Sequence, residues 1–91
     1  MNNSVVYIMT NGYNGVLYIG VTTNLAKRVL QHKSLLCKGF ASKYKCTRLV
    51  YYEYCSSPTA AILREKQLKN GPRIKKIKLI ETLNPYWKDL G

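Results

Sequence analysis

YIGVTTNLAKRVLQH, residues 18–32, decides how the rest of this chain is read. It holds a strand end, a glycine turn, a run of cap-type residues and then a helical pattern carrying Arg28 and His32. Residues four apart on a helix share one face, so a tyrosine, an arginine and a titratable imidazole are delivered to one place. Thr22, Thr23 and Asn24 precede a helix over about residues 25–35, with the cap at Thr23 or Asn24. Projected at about 100° per residue, Leu25, Val29 and Leu36 form the apolar stripe, with His32 inside it and Arg28 at its edge.

Working outward, residues 4–10 (SVVYIMT) are β-branched and aromatic and read as a strand. Asn11, Gly12, Asn14 and Gly15 tolerate positive φ and suit a hairpin loop. Residues 16–21 form the returning antiparallel strand. Tyr7 and Tyr18 then lie on neighbouring strands, and whether they share a face depends on a register that pattern alone does not fix. Residues 38–45 make a basic loop with Phe40 and Tyr44, and residues 48–54 a third strand. Ser57-Pro58 starts a helix that stops at Asn70-Gly71-Pro72. Its wheel sets Glu65 among Ala61, Ile62 and Leu68, and a carboxylate on an apolar side must be paired or bound to a cation. A last helix over about residues 73–83 turns Ile74, Ile77 and Ile80 inward, surrounded by basic residues. Asn84-Pro85 ends it and Trp87 anchors the tail. The expectation is a single domain over residues 1–91, of α+β class: a small three-stranded antiparallel sheet flanked by helices, in the order β-β-α-β-α-α.

Charge points to the partner. Fifteen Lys and Arg face four acids, a net charge of +11, beyond the ~2 to 8 that keeps a small domain soluble. That favours a polyanion, with Lys27, Lys33, Lys38, Lys43, Lys45, Arg73, Lys75 and Lys76 as the candidate nucleic-acid contacts. A membrane-surface role fits less well, because no basic helix separates apolar from cationic faces cleanly. The early apolar run at residues 5–9 is far short of the ~20 residues of a spanning helix, and a cytoplasmic address is the default expectation. Three cysteines are odd in number and form no C-x2-C pair, and His32 is the only histidine. A disulfide framework and a zinc site are therefore both disfavoured.

The polar residues at inward or cleft-facing positions are Arg28, His32 and Glu65, with Tyr7 and Tyr18 on adjacent strands. With a basic surface they suit metal-assisted phosphoryl chemistry: an arginine for charge on phosphate, a carboxylate for a divalent cation, a tyrosine or histidine for a proton. The four acids, Glu53, Glu65, Glu81 and Asp89, are too few for a two-metal cluster and suggest one metal ion. Plainer roles exist for each: strand tyrosines as sheet aromatics, Arg28 as the structural partner of Glu65, His32 as a satisfied core residue.

These residues also carry a resemblance. Val5-Val6-Tyr7, then Tyr18-Ile19-Gly20 after ten intervening residues, Asn24-Leu25 with Arg28 and His32, the REKQLK run containing Glu65, and Asn84-Pro85 together resemble a GIY-YIG nuclease domain. Such modules occur in excision-repair incision nucleases, homing endonucleases and small stand-alone bacterial proteins. The likeness runs over about residues 5–87. It implies a divalent-metal-dependent endonuclease acting on DNA, with one Mg²⁺ or Mn²⁺ on Glu65. Tyr18 would activate the attacking water, Tyr7 orient it and Arg28 contact the scissile phosphate. His32 would move a proton or position phosphate, and Asn84 would support the site or contact the leaving group. A fold-sharing nucleic-acid-binding module with little cleavage of its own is the alternative. Specificity would come from the basic surface, a homodimer or a protein partner. Val5 replaces the name-giving glycine, and Val21 stands where some relatives carry a lysine, a contact that Lys27 or Lys33 would supply.

Overall fold

All seven residues of strand β1 (Ser4–Thr10) are buried, the pattern of a strand paired on both sides and covered on both faces. The computed structural model describes residues 4–34 and 43–91. In it β1 is the centre of a three-stranded sheet of order β2-β1-β3, with β2 (Leu17–Thr22) and β3 (Arg48–Cys55) both antiparallel to it. Helix α1 (Leu25–Lys33) follows β2, and α2 (Pro58–Asn70) and α3 (Arg73–Leu83) follow β3. This is the expected α+β order. Leu36, Cys37, Lys38 and Phe40, and with them most of the basic loop, lie outside the described residues.

Turn and cap chemistry explains where these elements begin. In the β1–β2 loop the Asn11 side chain accepts from the Val16 amide at 3.0 Å, Gly15 N–H donates to Gly12 O at 3.0 Å, and Asn14 takes a positive φ of 52°. Asn24 is the cap of α1: its Oδ1 accepts from the Lys27 amide at 3.1 Å. Ser57 caps α2 through the Ala60 amide at 3.1 Å, with Pro58 in the first turn.

The register opposes Tyr7 to Gly20 and Met9 to Tyr18. Directly opposed residues point to the same face and so do residues two apart, so Tyr7 and Tyr18 share a face. On that face Tyr7, Met9 and Leu49 pack with Val29 of α1 and Cys46. On the other, Val6, Ile8 and Ile19 pack against Ala61 and Leu68 of α2, Ile80 of α3 and Trp87. One extra residue in β3 between the partners of Ile8 and Met9 lets Val50 and Tyr51 both face this second layer. The sheet is therefore a middle layer between α1 and the α2–α3 pair.

Two expected core positions are corrected. Ile74 is 56% exposed, while Ile80 is buried: steps of three residues drift by about 60° each around a helix, which carries Ile74 about 120° from the buried line. Ile62 is exposed because Ala61 and Leu68 define the buried line of α2 and Ile62 sits about 100° from it. Trp87 is fully buried, as expected, and its indole N–H donates to Glu81 at 3.0 Å. Cys46 and Cys55 are free thiols. Among the described residues no helix is long and apolar enough to cross a membrane.

Candidate active site

Tyr7 from β1, Tyr18 from β2 and His32 from α1 converge on one face of the sheet. Ring centroids are 6.2 Å apart for the tyrosine pair, 5.6 Å for Tyr7–His32 and 5.2 Å for Tyr18–His32. The Tyr7 hydroxyl and His32 Nε2 are hydrogen-bonded at 3.1 Å in a buried setting. Gly20 makes this packing fit. It stands directly opposite Tyr7, and a Cβ on it would lie 2.5 Å from the Tyr7 hydroxyl and 2.6 Å from Cζ. The glycine of YIG is thus the floor on which the Tyr7 ring lies.

The surroundings of His32 favour its neutral form. Burial lowers its pKa from the ordinary 6.5, and the nearby Arg28 guanidinium lowers it further. A neutral imidazole has one N–H and one lone pair, so it can take a proton from a phenol or pass one to it. Arg28, one turn before His32, is half-buried and borders a polar cavity of about 370 Å³ with Thr22, Thr23, Lys27 and Gln31. Tyr18 reaches outward: it lines a second cleft of about 470 Å³ with Lys69, Arg73 and Lys76.

Glu65 belongs to the helical layer on the opposite face. Its side chain is 21% exposed, on the flank of the Ala61–Leu68 line, and its carboxylate pairs with Lys69 at 3.3 Å. The charge compensation expected for it therefore comes from its own helix, and Arg28 is not the partner. Among the described residues no three His, Cys, Asp or Glu side chains cluster as a metal cage. A lone carboxylate with an exchangeable ammonium partner suits a Mg²⁺-type ion, which is commonly held by one or two carboxylates with waters and substrate phosphate completing the shell. Asn84 is buried and spends its side chain on the fold: Nδ2 donates to Val50 O at 3.2 Å and Lys88 O at 2.7 Å, and Oδ1 accepts from the Lys88 amide at 2.9 Å.

The candidate nucleic-acid contacts divide into groups. Lys27, Lys43, Lys45 and Lys75 are exposed, whereas Lys33 is paired with Asp89. Arg73 donates to Asn14 O and Gly15 O at 2.9 and 2.5 Å, and Lys76 donates to Gly71 O at 2.8 Å. Sequence reasoning passed over Lys69, whose spacing of four from Glu65 was the available signal.

Two tyrosines and a histidine beside an arginine, gathered on one face of a small antiparallel sheet, are the arrangement the chain presents. A model of the GIY-YIG catalytic domain matches residues 3–78, and the chain belongs to the GIY-YIG family. Among its relatives, a UPF0213 protein of Staphylococcus haemolyticus is 39% identical over 85 residues, covering 89% of this chain and 98% of the relative. Another, from Natronomonas pharaonis, is 35% identical over 79 residues, covering 82% and 87%. The solution NMR structure of a UPF0213 protein from Bacillus halodurans is similar with a TM-score of 0.54 over 98% of this chain and 93% of that one; at 24% identity the likeness bears on the fold.

Proposed function

We propose that this chain is a divalent-metal-dependent endonuclease that hydrolyses phosphodiester bonds in DNA. The observation carrying the reading is the convergence of Tyr7, Tyr18 and a neutral His32 beside Arg28. In the reaction a water oxygen bonds to phosphorus, one ester P–O bond breaks, the water gives up a proton and the departing oxygen gains one. Tyr18, on the edge strand beside the open cleft, is positioned to help activate the water. Tyr7 orients the water and, as its oxygen takes the water's proton, passes its own phenolic proton across its bond to the His32 imidazole, while solvent protonates the departing oxygen. The Arg28 guanidinium offsets charge that builds on the phosphate oxygens. Glu65, on the other side of the sheet, pairs with Lys69, and Lys69 lines the cleft that wraps the β2 edge to Tyr18; at that edge Glu65 would hold a single Mg²⁺ or Mn²⁺, which would supply Lewis-acid polarisation of the phosphate. Asn84 acts through the fold, holding β3 and the tail in place.

The decisive assay incubates the protein with supercoiled, branched and single-stranded DNA and Mg²⁺ or Mn²⁺, alongside Glu65→Ala. Cleavage lost in the variant supports the reading, and cleavage undiminished in it overturns the role of Glu65. A second reading, a nucleic-acid-binding module that cleaves little alone, draws on the Glu65–Lys69 ion pair that engages the carboxylate. Salt-sensitive binding without turnover under either metal would select it. A homodimer or protein partner would then supply substrate choice.

A further inference from the structure

Residues 16–19, four in succession, border the same cleft of about 470 Å³. Side chains alternate between faces along a strand, so four consecutive residues border one space only where it wraps around the strand's edge. β2 is an edge strand. The facing wall carries Lys69 near the end of α2 and Arg73 and Lys76 of α3. Hydrogen bonds from Arg73 to the hairpin-loop carbonyls and from Lys76 to Gly71 O hold two of these charges at the rim. Val16, Leu17 and Ile19 give the strand side an apolar surface, and no acidic residue lines the cleft.

We propose that this cleft seats a single-stranded stretch of DNA continuing from the phosphodiester held at Tyr18. The proposal rests on the nuclease reading only for the identity of the strand that passes Tyr18. Three converging cations select a polyanion. The apolar surface selects an unpaired one: a duplex keeps its base faces stacked inside and offers phosphate and sugar, whereas a single strand can lay base faces on a protein surface. An extended peptide could add to the β2 edge, but it would give the three cations no anion beyond Glu65, which already pairs with Lys69. The substrate class that follows is DNA with an unpaired segment beside the cleaved bond, such as a flap, fork or branch.

The test uses the metal-free full chain, a short oligothymidylate, the same strand within a duplex, and an uncharged extended peptide, read by amide NMR shifts and fluorescence anisotropy. The expected result is shifts concentrated in residues 16–19 and 69–76, with the single strand bound at least about fivefold more tightly than the duplex at equal salt. Lys69→Gln and Arg73→Gln should each weaken single-strand binding by about threefold or more and flatten its salt dependence. Lys69 is 52% exposed and outside the core, so its variant keeps the test valid if Arg73→Gln, which also releases the hairpin loop, fails to fold. Shifts confined to Lys27, Lys43 and Lys45, equal affinity for the duplex, or occupancy of the cleft by the peptide instead would overturn the proposal. Binding retained with cleavage absent under any metal counts against the nuclease reading alone.

Discussion

Gly20 shows how one missing side chain builds a site. The Tyr7 ring occupies the space where a Cβ would be, and the space is bounded by the ring carbons as well as the hydroxyl. Gly20→Ala is therefore expected to cost about 1–3 kcal/mol by overpacking and to displace the hydroxyl from His32, so thermal stability and cleavage rate should fall together. Tyr7→Phe separates the two effects: it should fold with little loss while slowing cleavage by about a hundredfold or more. His32 adds a pH dependence. Folding lowers its pKa below 6.5, so between the folded value and 6.5 the unfolded chain binds more protons. Stability then falls as pH drops through that window and is indifferent to this group above it. Melting temperature against pH should show this slope, and His32→Gln should flatten it.

Helix α1 delivers Arg28 and His32, and its far end is tied down by the tail. Lys33 pairs with Asp89, whose carboxylate also accepts from the Leu49 and Gly91 amides. Burial pushes the Asp89 pKa up, but the hydrogen bonds from Lys33 and the two amides outweigh it and hold the group below its ordinary value. The stability it lends is present above that ordinary value and is lost as pH falls through the folded one. Asp89→Ala should cost about 1 kcal/mol, since the site is partly exposed, and speed hydrogen exchange at the end of α1. Much at this scale was legible from residue order. The strand, cap and helix of residues 18–32 follow from β-branched, Asn and apolar spacing, and Trp87 was readable as an anchor. The shared face of Tyr7 and Tyr18 was not, because it is set by a register that hairpin residues leave open. Ile74 was misjudged because three-residue spacing looks periodic while it drifts around the helix. The partner of Glu65 was open too: an arginine one turn before the histidine and a lysine four residues on both satisfied the charge argument.

Across the whole molecule a charge of +11 makes electrostatics the main term in any nucleic-acid affinity. Binding should weaken steeply with salt, with a log–log slope of about −0.7 per neutralised phosphate on a single strand. A titration insensitive to salt would contradict a phosphate-led interface. The cations stand on elements from all parts of the chain, so the field needs the folded protein to be focused.

The placement of β1 also has a consequence for how the chain reaches this state. The central strand comes first, its β2 partner follows within a short hairpin, but its other partner is β3, where Tyr7 meets Tyr52. During synthesis the hairpin can close early, leaving a largely apolar strand with one open edge until more than half the chain has emerged. Closure of that edge is a long-range event and should set the folding rate. Substitutions in the β1–β3 pairing are then expected to slow refolding and raise aggregation of nascent chains, while those in the late helix α3 mainly speed unfolding.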